Sequence, residues 1–373
     1  MNQAHAIAIL VLFLMSVPVP ASEPDEQTVA LIAELGLEES DVPVSSYSWW
    51  RKPEKVHIMT NAQGGQGREW QVESAREVAG DVELVAVTYP LSQEVIEEME
   101  VLLGNCTPEI VRGAKNLRWL QDARHGGNLC LIPELREARF ILTNTQHTSG
   151  PPMAEHVIAM LMTMTRGLHI LHGAQLQRVW RRGQIDFPMV EIAGKTMLVA
   201  GLGGIGTEVA KRAHALGMRV IATRSSSREG PPFVEYVGLS HELSELSQQA
   251  DVVVNTLPLT NDTRGLFDRE YFATVKPGAW YISVGRGETT VTDDLIAALK
   301  SGQLAGAGLD VFDPEPLPPD NELWTMTNVI MTPHVSATTD MEIDRRWTVM
   351  KENLRRYING EKLLNVVDPA RGY

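Results

Sequence analysis

The length and charge of the chain limit its possible functions. With 373 residues, 43% of them hydrophobic, it is long enough for two globular domains of ordinary size. A formal net charge of −14 argues against nucleic acid as a partner, because a phosphate backbone requires a basic protein face. Neither Cys-x-x-Cys nor His-x-x-x-His occurs in the sequence, so no metal site is predicted.

The first 21 residues have the pattern of a secretory signal. Residues 6–17 form an apolar run that is too short for a comfortable membrane span, and Val19-Pro20-Ala21 offers a small-residue cleavage site. Lys and Arg are absent before this run, and a buried first strand is the alternative interpretation. We therefore predict a signal peptide over 1–21, with export to the periplasm if it is cleaved and a cytoplasmic location otherwise. No stable membrane span is expected in the mature chain.

The next part of the chain predicts an arm followed by an α/β unit. Residues 22–53 are acidic and punctuated by proline, which predicts an added N-terminal arm with one helix at 27–35. Short apolar runs then alternate with helical patterns up to residue 142. This alternation predicts a parallel sheet. The expected elements are strands at 55–59, 117–121 and 139–144 and a helix at 92–103.

One predicted helix bears on assembly, and the two cysteines bear on the redox state of the protein. A helix rich in Met, Ala and Leu is predicted at 151–171. Such a stripe belongs to a core or a subunit interface more often than to a cofactor site, and we predict a homodimer contact there. Cys106 and Cys130 could pair in an oxidising compartment, but nothing in their spacing shows that they touch. Two buried free thiols are the simpler expectation.

A glycine turn organises the second half of the chain. Residues 196–200 are apolar or β-branched, as a strand buried on both faces of a parallel sheet requires. The pattern G-x-G-x-x-G follows where a helix at 207–216 must begin. Glycines there allow a tight turn, a close approach of backbone to pyrophosphate, and close packing of helix on strand. We predict that this turn binds a dinucleotide through Gly201, Gly203, Gly204, Ile205 and Gly206.

The strand predicted at 218–223 ends where a dinucleotide presents its adenosine ribose. NAD sites usually place a carboxylate there, which grips the ribose 2′-hydroxyl. This chain has Arg224 instead, followed by Ser225, two further serines and Arg228. A guanidinium and several hydroxyls suit a 2′-phosphate, so NADP is predicted in preference to NAD. The alternative is that this segment is only a solvated polar loop.

Three later strands each end in a polar side chain that could take part in catalysis. Apolar runs recur at 251–259, 279–285, 305–312 and 328–335, and ligands gather at the carboxyl ends of such strands. Arginine can clamp a carboxylate, and a histidine beside a carboxylate is a competent proton donor. Each residue alone could be an ordinary surface or capping group. Together they predict a catalytic set: Arg286, Glu315 and His334.

Five motifs in this half resemble those of the D-isomer-specific 2-hydroxyacid dehydrogenases. In order they are GLGGIG, LPLTNDTRGLF, VGRGETTVTDDLIAAL, GAGLDVFDPEPLP and TPHVSATT. Arg286, Glu315 and His334 have the order and spacing of the Arg-Glu-His triad of that family. The similarity runs from about residue 55 to the C-terminus, and the ending LLNVVDPARGY is similar to the glyoxylate/hydroxypyruvate reductase-like branch.

The resemblance implies further site residues. The family binds the substrate carboxylate through backbone amides of a loop that corresponds to residues 124–128, which gives His125, Gly126 and Gly127, with Arg286, as the substrate-binding set. Arg124 and His125 replace the small residues usual there, and we expect them to narrow or charge the pocket. The resemblance also implies that the following residues line the cofactor, the last of them by holding the nicotinamide carboxamide: Pro258, Thr263, Val284 and Asp310.

The family fold implies two Rossmann-like, doubly wound parallel-sheet domains of the α/β class with a cleft between them. Residues 54–150 and 336–373 would form the substrate-binding domain, and residues 151–335 the dinucleotide-binding domain. The function predicted is reduction of a small 2-keto acid, similar to glyoxylate or hydroxypyruvate, to the D-2-hydroxy acid with NADP or NAD as cofactor. The alternative is an interaction protein on the same fold that senses a nicotinamide cofactor.

Overall fold

The computed structural model describes residues 23–61, 68–125, 130, 132–137, 139–182, 187 and 189–368. The predicted signal peptide and the predicted substrate-loop residues Gly126 and Gly127 lie outside these ranges. The helices are α1 Glu26–Leu35, α2 Glu69–Ala79, α3 Gln93–Glu98, α4 Pro108–Gly113, α5 Gly150–Thr165, α6 Leu168–Leu176, α7 Gly204–Ala215, α8 Leu243–Ser247, α9 Arg269–Thr274, α10 Thr292–Lys300 and α11 Glu342–Ile358. The strands are β1 Lys55–Met59, β2 Glu83–Val87, β3 Val101–Gly104, β4 Trp119–Asp122, β5 Ile141–Thr143, β6 Thr196–Ala200, β7 Arg219–Arg224, β8 Tyr236–Leu239, β9 Val252–Asn255, β10 Ala279–Ser283, β11 Leu304–Leu309 and β12 Val329–Met331.

The first sheet is parallel, with five strands in the order β2-β1-β3-β4-β5. The C-terminal helix α11 completes its core, because Trp347, Met350 and Tyr357 pack with apolar residues of the sheet such as Val56. The ring of Trp119 on β4 stacks on Tyr357 with 4.6 Å between the ring centroids. The chain thus leaves this unit after β5 and returns to it through α11.

The second sheet is also parallel, with seven strands in the order β12-β11-β10-β9-β6-β7-β8. Strands β6, β9 and β10 are buried along their whole length, as covered strands of a parallel sheet should be. The strand order reverses between β6 and β9, and ligands bind beyond the carboxyl ends of strands at such a point. The predicted fold class, α/β with two doubly wound parallel sheets, is confirmed.

Several predicted elements were wrong in detail. The helix predicted at 92–103 ends at Glu98, and Val101–Gly104 is a fully buried strand. Two edge strands, β2 and β8, were not predicted: β2 is exposed or half-buried throughout, and β8 buries only its two central residues. Edge strands need less apolar surface than central ones, so their sequences are less distinctive.

The helix predicted at 151–171 is two helices. Helix α5 ends at Thr165, and Gly167 adopts a left-handed conformation with φ 60° before α6 begins. Met153, Met160 and Met164 of the predicted stripe are buried in the core of the second domain, Met162 is half-buried against it, and Met160 lies against Gly308 of β11. The stripe is therefore core, and large exposed apolar side chains appear only afterwards, on and beyond α6: Leu168, Leu176, Val179 and Trp180.

Cys106 and Cys130 form a disulfide bond, with their Cα atoms 5.5 Å apart. Both cysteines are fully buried. The expectation of two free thiols is thus wrong, because the end of β3 and the segment after β4 meet only in the folded domain. The bond joins Cys130, which lies shortly after the predicted substrate loop, to Cys106, which lies shortly after the central strand β3.

The N-terminal arm packs on the first domain. Helix α1 begins after Asp25, whose side-chain oxygen accepts a hydrogen bond from the Thr28 amide at 2.7 Å. Leu35 and Leu37 pack with Val349 of α11 in a small cluster. Within the described ranges, no helix has both the length and the apolar composition needed to cross a membrane. The same residues contain no group of three or more His, Cys, Asp or Glu side chains placed to hold a metal ion.

Candidate active site

The glycine turn joins β6 to α7 and has the shape of a phosphate cradle. Gly201 has φ 98°, a conformation that favours glycine. Gly203 caps α7, is exposed, and has open space where a side chain would stand. A Cβ on Gly206 would lie 2.1 Å from the Gly201 carbonyl oxygen, so only glycine lets the helix pack this close to the strand. The free amides of the helix N-terminus face the open side, which suits a pyrophosphate.

Two alanine substitutions in this turn should have different effects. We expect Gly206→Ala to lower the free energy of unfolding by about 2 kcal/mol, because the new methyl group forces helix and strand apart. Gly203→Ala should leave stability unchanged but weaken NADPH binding about tenfold, since the methyl group enters the space open to the phosphate. Urea unfolding and calorimetric titration measure the two effects. Equal loss of stability in both variants would contradict this account of the turn.

The end of β7 carries an arginine with no acidic partner. Arg224 donates a hydrogen bond to the Glu229 carbonyl oxygen at 3.3 Å and has no carboxylate in ion-pair contact among the described residues. The next residue, Ser225, is exposed. Arg228 is different, because its guanidinium pairs with Glu242 at 2.8 Å and donates to the Tyr236 hydroxyl. Arg224 and Ser225 are therefore available to an anion, whereas Arg228 is already paired.

The other predicted cofactor residues lie at the ends of β9 and β10. Pro258 is exposed, and its carbonyl oxygen accepts a hydrogen bond from the Thr263 hydroxyl at 2.6 Å, which closes the loop after β9. Val284 is buried directly after β10, and its amide donates to the Asn255 carbonyl oxygen at 3.1 Å. Both segments follow strands next to the switch point, so they can border a bound dinucleotide.

His334 and Glu315 form a hydrogen-bonded pair. The His334 Nδ1 atom lies 2.8 Å from Glu315 Oε2, and the second carboxylate oxygen accepts a hydrogen bond from the Phe312 amide at 2.9 Å. The carboxylate is thereby fixed in orientation, and so is the ring. Because Nδ1 faces the carboxylate, Nε2 is the ring nitrogen left for a substrate. The side chains of His334 and Glu315 are 49% and 36% exposed, so this pair is open to the cleft.

Asp310 holds the turn that carries His334. Its buried carboxylate accepts hydrogen bonds from the Thr332 hydroxyl at 2.6 Å and from the amides of Val335 and Ser336 at 2.9 and 3.0 Å. Burial alone would raise the pKa of Asp310, but these hydrogen bonds lower it overall. His334 has φ 53°, and its amide donates to the Asp310 carbonyl oxygen. Asp310 is thus a positioning residue for His334, a role that sequence reasoning missed.

Thr332 and His156 extend this support. His156 on α5 lies 2.9 Å, through Nε2, from the Thr332 hydroxyl oxygen and 3.9 Å from Asp310 Oδ1. Sequence reasoning missed both residues. Thr332 could have been found, since it begins the TPH motif two positions before the histidine, but nothing in the sequence connects His156 with that motif.

Arg286 follows β10 and faces the first domain. Its Nη1 donates to the neighbouring Gly285 carbonyl oxygen at 2.8 Å, and within the described ranges it has no carboxylate partner. Its charge contributes to a lowered pKa of His125, which belongs to the segment after β4. Arg286 and the first residue of the predicted substrate set therefore interact electrostatically across the cleft.

Arg124 and His125 do not charge the pocket as expected. The guanidinium of Arg124 binds the buried carboxylate of Asp122 through Nε at 3.0 Å and Nη2 at 2.8 Å, so its charge is neutralised. Burial, together with the charges of Arg346 and Arg286, lowers the pKa of His125 to about 4. His125 is therefore neutral at physiological pH. Its Nδ1 lies 3.1 Å from the Thr145 carbonyl oxygen, which requires a proton on Nδ1.

The depressed pKa of His125 predicts a stability that falls in acid. Between pH 6.5 and 4 the unfolded chain binds a proton at this residue and the folded chain does not, so stability falls as pH falls. We expect His125→Asn to remove about 2 kcal/mol of the loss between pH 7 and pH 4.5. Urea unfolding at both pH values measures it, with exposed His241→Asn as control. An unchanged pH dependence in the His125 variant would contradict the assignment.

The fold and the site define a class: a two-domain α/β enzyme with a dinucleotide cradle and a histidine-carboxylate pair at neighbouring strand ends. The model described as "D-isomer specific 2-hydroxyacid dehydrogenase, NAD binding domain" matches residues 158–336. Glyoxylate reductase from Pyrococcus furiosus is 32% identical over 68% of this chain and 76% of its own length. The chain belongs to the D-isomer-specific 2-hydroxyacid dehydrogenase family. It is an oxidoreductase that uses NAD or NADP.

Two further similarities bear on the whole protein. D-3-phosphoglycerate dehydrogenase from Methanocaldococcus jannaschii is 31% identical over 78% of this chain, but the match spans only 56% of that relative's length. The crystal structure of the NADPH-dependent glyoxylate/hydroxypyruvate reductase from Sinorhizobium meliloti, in complex with NADP and sulfate, superposes with a TM-score of 0.69. That protein is 27% identical, and the match covers 86% of this chain and all of the other.

Proposed function

We propose that this protein reduces a small 2-keto acid, of the glyoxylate or hydroxypyruvate kind, to the D-2-hydroxy acid with NADPH. The observation that carries the proposal is the 2.8 Å contact between His334 Nδ1 and Glu315, at strand ends beside the dinucleotide cradle. Ketone reduction consumes one hydride and one proton. The cofactor, when bound, supplies the hydride. The protein must supply the proton.

His334 is the proton donor in this proposal. Glu315 binds Nδ1 and fixes the ring, so that Nε2 presents the proton to the keto oxygen. Asp310 and Thr332 hold the turn in which His334 sits. Arg286 binds the substrate carboxylate with two parallel hydrogen bonds, and the backbone amides of His125 to Gly127 complete the clamp, as the family resemblance implies.

NADPH is the proposed cofactor because of the residues at the end of β7. The pyrophosphate would lie over the amides of Gly203 to Ile205 at the start of α7. Arg224 and Ser225 would bind the 2′-phosphate, since no acidic side chain among the described residues holds either of them. Pro258, Thr263 and Val284 would border the nicotinamide half. The similar Sinorhizobium meliloti enzyme is described as NADPH-dependent and was crystallised with NADP, which supports this choice.

The two domains have different binding roles in this proposal. Residues 54–150 with 336–373 would bind the substrate, and residues 151–335 the dinucleotide, an assignment supported by the match of the NAD-binding domain model to 158–336. His125 and Arg286 lie on opposite sides of the cleft. Closure of the cleft would bring them together on the substrate and exclude water before the transfer.

We also propose a homodimer and, if the N-terminal signal is cleaved, export. The exposed apolar side chains on and beyond α6 support the first, because Trp180 and Leu176 are 86% and 71% exposed and such groups commonly mark subunit contacts. The disulfide between Cys106 and Cys130 supports the second, since disulfides persist in oxidising compartments. Light scattering and the mature mass in a periplasmic fraction test these two statements.

The test of the activity is NADPH oxidation with glyoxylate, hydroxypyruvate and pyruvate. We expect turnover with at least one of them, and loss of turnover in His334→Ala. Tight NADPH binding without turnover on any 2-keto acid would instead favour a cofactor-sensing interaction protein.

A further inference from the structure

The substrate side of the cleft carries more positive charge than one carboxylate requires. Arg68 lies at the carboxyl edge of the first sheet, because its amide donates to the Thr60 carbonyl oxygen just after β1. Arg345 on α11 reaches the same edge, where its Nη1 donates to the Thr148 carbonyl oxygen at 3.2 Å. The Thr148 hydroxyl oxygen in turn lies 3.1 Å from His125 Nδ1. Arg345 thus lies next to a residue that contacts His125, and Arg68 lies at the same edge of the sheet.

A third arginine at this place is already neutralised. Arg346 is buried and binds the Glu342 carboxylate, and its Nη1 donates to the Ala123 carbonyl oxygen at 3.2 Å. The nearby charge of Arg68 contributes to a lowered pKa of Arg346. The two guanidinium groups therefore repel each other.

The remaining charges do not cancel. Arg68, Arg286 and Arg345 have no carboxylate in ion-pair contact within the described ranges, and His125 contributes no charge of either sign at neutral pH. The Glu342 carboxylate already forms an ion pair with Arg346. Among the described residues, two guanidinium groups without a carboxylate partner therefore lie on the substrate side of the cleft, Arg68 and Arg345, and Arg286 lies across from them, in a chain whose net charge is −14. Such a cluster repels itself until an anion binds.

Buried polar atoms beside the cluster also lack partners. Among the described residues, the Nε2 atom of His125 and the Nε atom of Arg346 are buried without a hydrogen bond, and Arg346 is only 7% exposed. Buried polar atoms in proteins normally have a partner. The Nε–H group of Arg346 is a donor that an anion could complete, whereas Nε2 of the neutral His125 is an acceptor and does not bind an anion.

We propose that Arg68 and Arg345 form a second anion subsite beside His125, and that the substrate is a 2-keto acid with a further carboxylate or phosphate on its side chain. This inference rests on the proposed function, in which Arg286 binds the carboxylate next to the keto group. The second negative group would then take the two arginines that Arg286 leaves unused. One of the five N–H groups of Arg345 donates to the Thr148 carbonyl oxygen, which leaves four N–H groups for the anion.

The experiment compares substrates that differ only in the second charge. The pairs are 2-oxoglutarate against 2-oxopentanoate and phosphohydroxypyruvate against hydroxypyruvate, each assayed with NADPH at constant ionic strength. We expect kcat/KM to be at least about tenfold higher for the dianion of at least one pair. The pair that shows the preference distinguishes a carboxylate from a phosphate. Equal or lower values for both dianions would overturn the proposal.

Two variants and a control locate the effect. Arg68→Gln and Arg345→Gln should each lower the dianion-to-monoanion ratio of kcat/KM about tenfold. Arg112→Gln makes the same charge change on α4, where Arg112 pairs with Glu134, and should leave the ratio unchanged. Thermal unfolding confirms that each variant is folded. A ratio that stays constant in both cleft variants would overturn the subsite while leaving 2-keto acid reduction intact.

A binding measurement separates this inference from the activity. Calorimetry with the NADP-loaded protein compares 2-hydroxyglutarate with 2-hydroxypentanoate, and needs no turnover. Tighter binding of the dianion that is lost in Arg68→Gln supports the subsite even if no 2-keto acid is reduced, in which case only the proposed reaction fails. Equal affinity for both acids counts against the subsite.

Discussion

Replacing His334 by alanine is expected to lower kcat for 2-keto acid reduction by about 10³-fold. The imidazole is the only proton donor that the described residues place next to Glu315 at these strand ends, and an alanine leaves the keto oxygen without one. NADPH affinity should change little, because His334 follows β12 and lies away from the glycine turn after β6. Stopped-flow NADPH oxidation and fluorescence titration of the cofactor measure the two quantities.

Glu315→Gln is the matched variant for this prediction. Glutamine keeps the size of the side chain and can still accept a hydrogen bond from His334, but the bond no longer involves a charged acceptor and holds the ring less firmly. We expect a smaller loss of kcat than in His334→Ala. Retention of kcat within about threefold in His334→Ala would show that another group donates the proton.

Replacing Arg224 by aspartate is expected to invert the cofactor preference. The wild-type protein should prefer NADPH, and the ratio of kcat/KM for NADPH to that for NADH should fall by about 10²- to 10³-fold. With NADPH, the charge-assisted contact between Arg224 and the 2′-phosphate is lost, and the new carboxylate repels the phosphate. With NADH, the same carboxylate can accept hydrogen bonds from the ribose hydroxyls. Steady-state kinetics with both cofactors, at a fixed 2-keto acid concentration, measure this ratio.

The structure supplies a control four positions further along the chain. Arg224→Gln and Arg228→Gln remove the same charge, but Arg228 pairs with Glu242, whereas Arg224 has no acidic partner in the part of the chain that the structure describes. We expect the NADPH preference to fall in the first variant and to change by less than about threefold in the second. Equal effects of the two variants would mean that the loop acts only through its overall charge.

Much of this architecture follows from local sequence. The strands at 55–59 and 196–200 were predicted to the residue, because central strands of a parallel sheet need continuous apolar runs and the glycine turn marks the end of the second. The rule that ligands gather at strand ends selected Arg286, Glu315 and His334, and the structure places the last two in contact. Their roles in turnover remain predictions.

The remaining errors have two causes: local patterns that fit more than one structure, and contacts that form only in the folded chain. The helical reading of 92–103 failed because the buried strand after Glu98 has an apolar run that also fits a helix. Arg124 was expected in the pocket, but its short path back to Asp122 is visible only once the strand end is folded. The disulfide and the roles of Asp310 and Arg345 likewise depend on tertiary proximity, which residue spacing does not encode.

The most direct test of the central claim is the product of one reaction. The wild-type protein, hydroxypyruvate and NADPH deuterated at the transferred position should yield D-glycerate with deuterium on C2, which chiral chromatography and mass spectrometry would detect. That result requires hydride transfer from the cofactor to one face of the keto carbon. Recovery of unchanged hydroxypyruvate, or of the L-acid, would contradict the assignment of this protein as a D-specific 2-keto acid reductase.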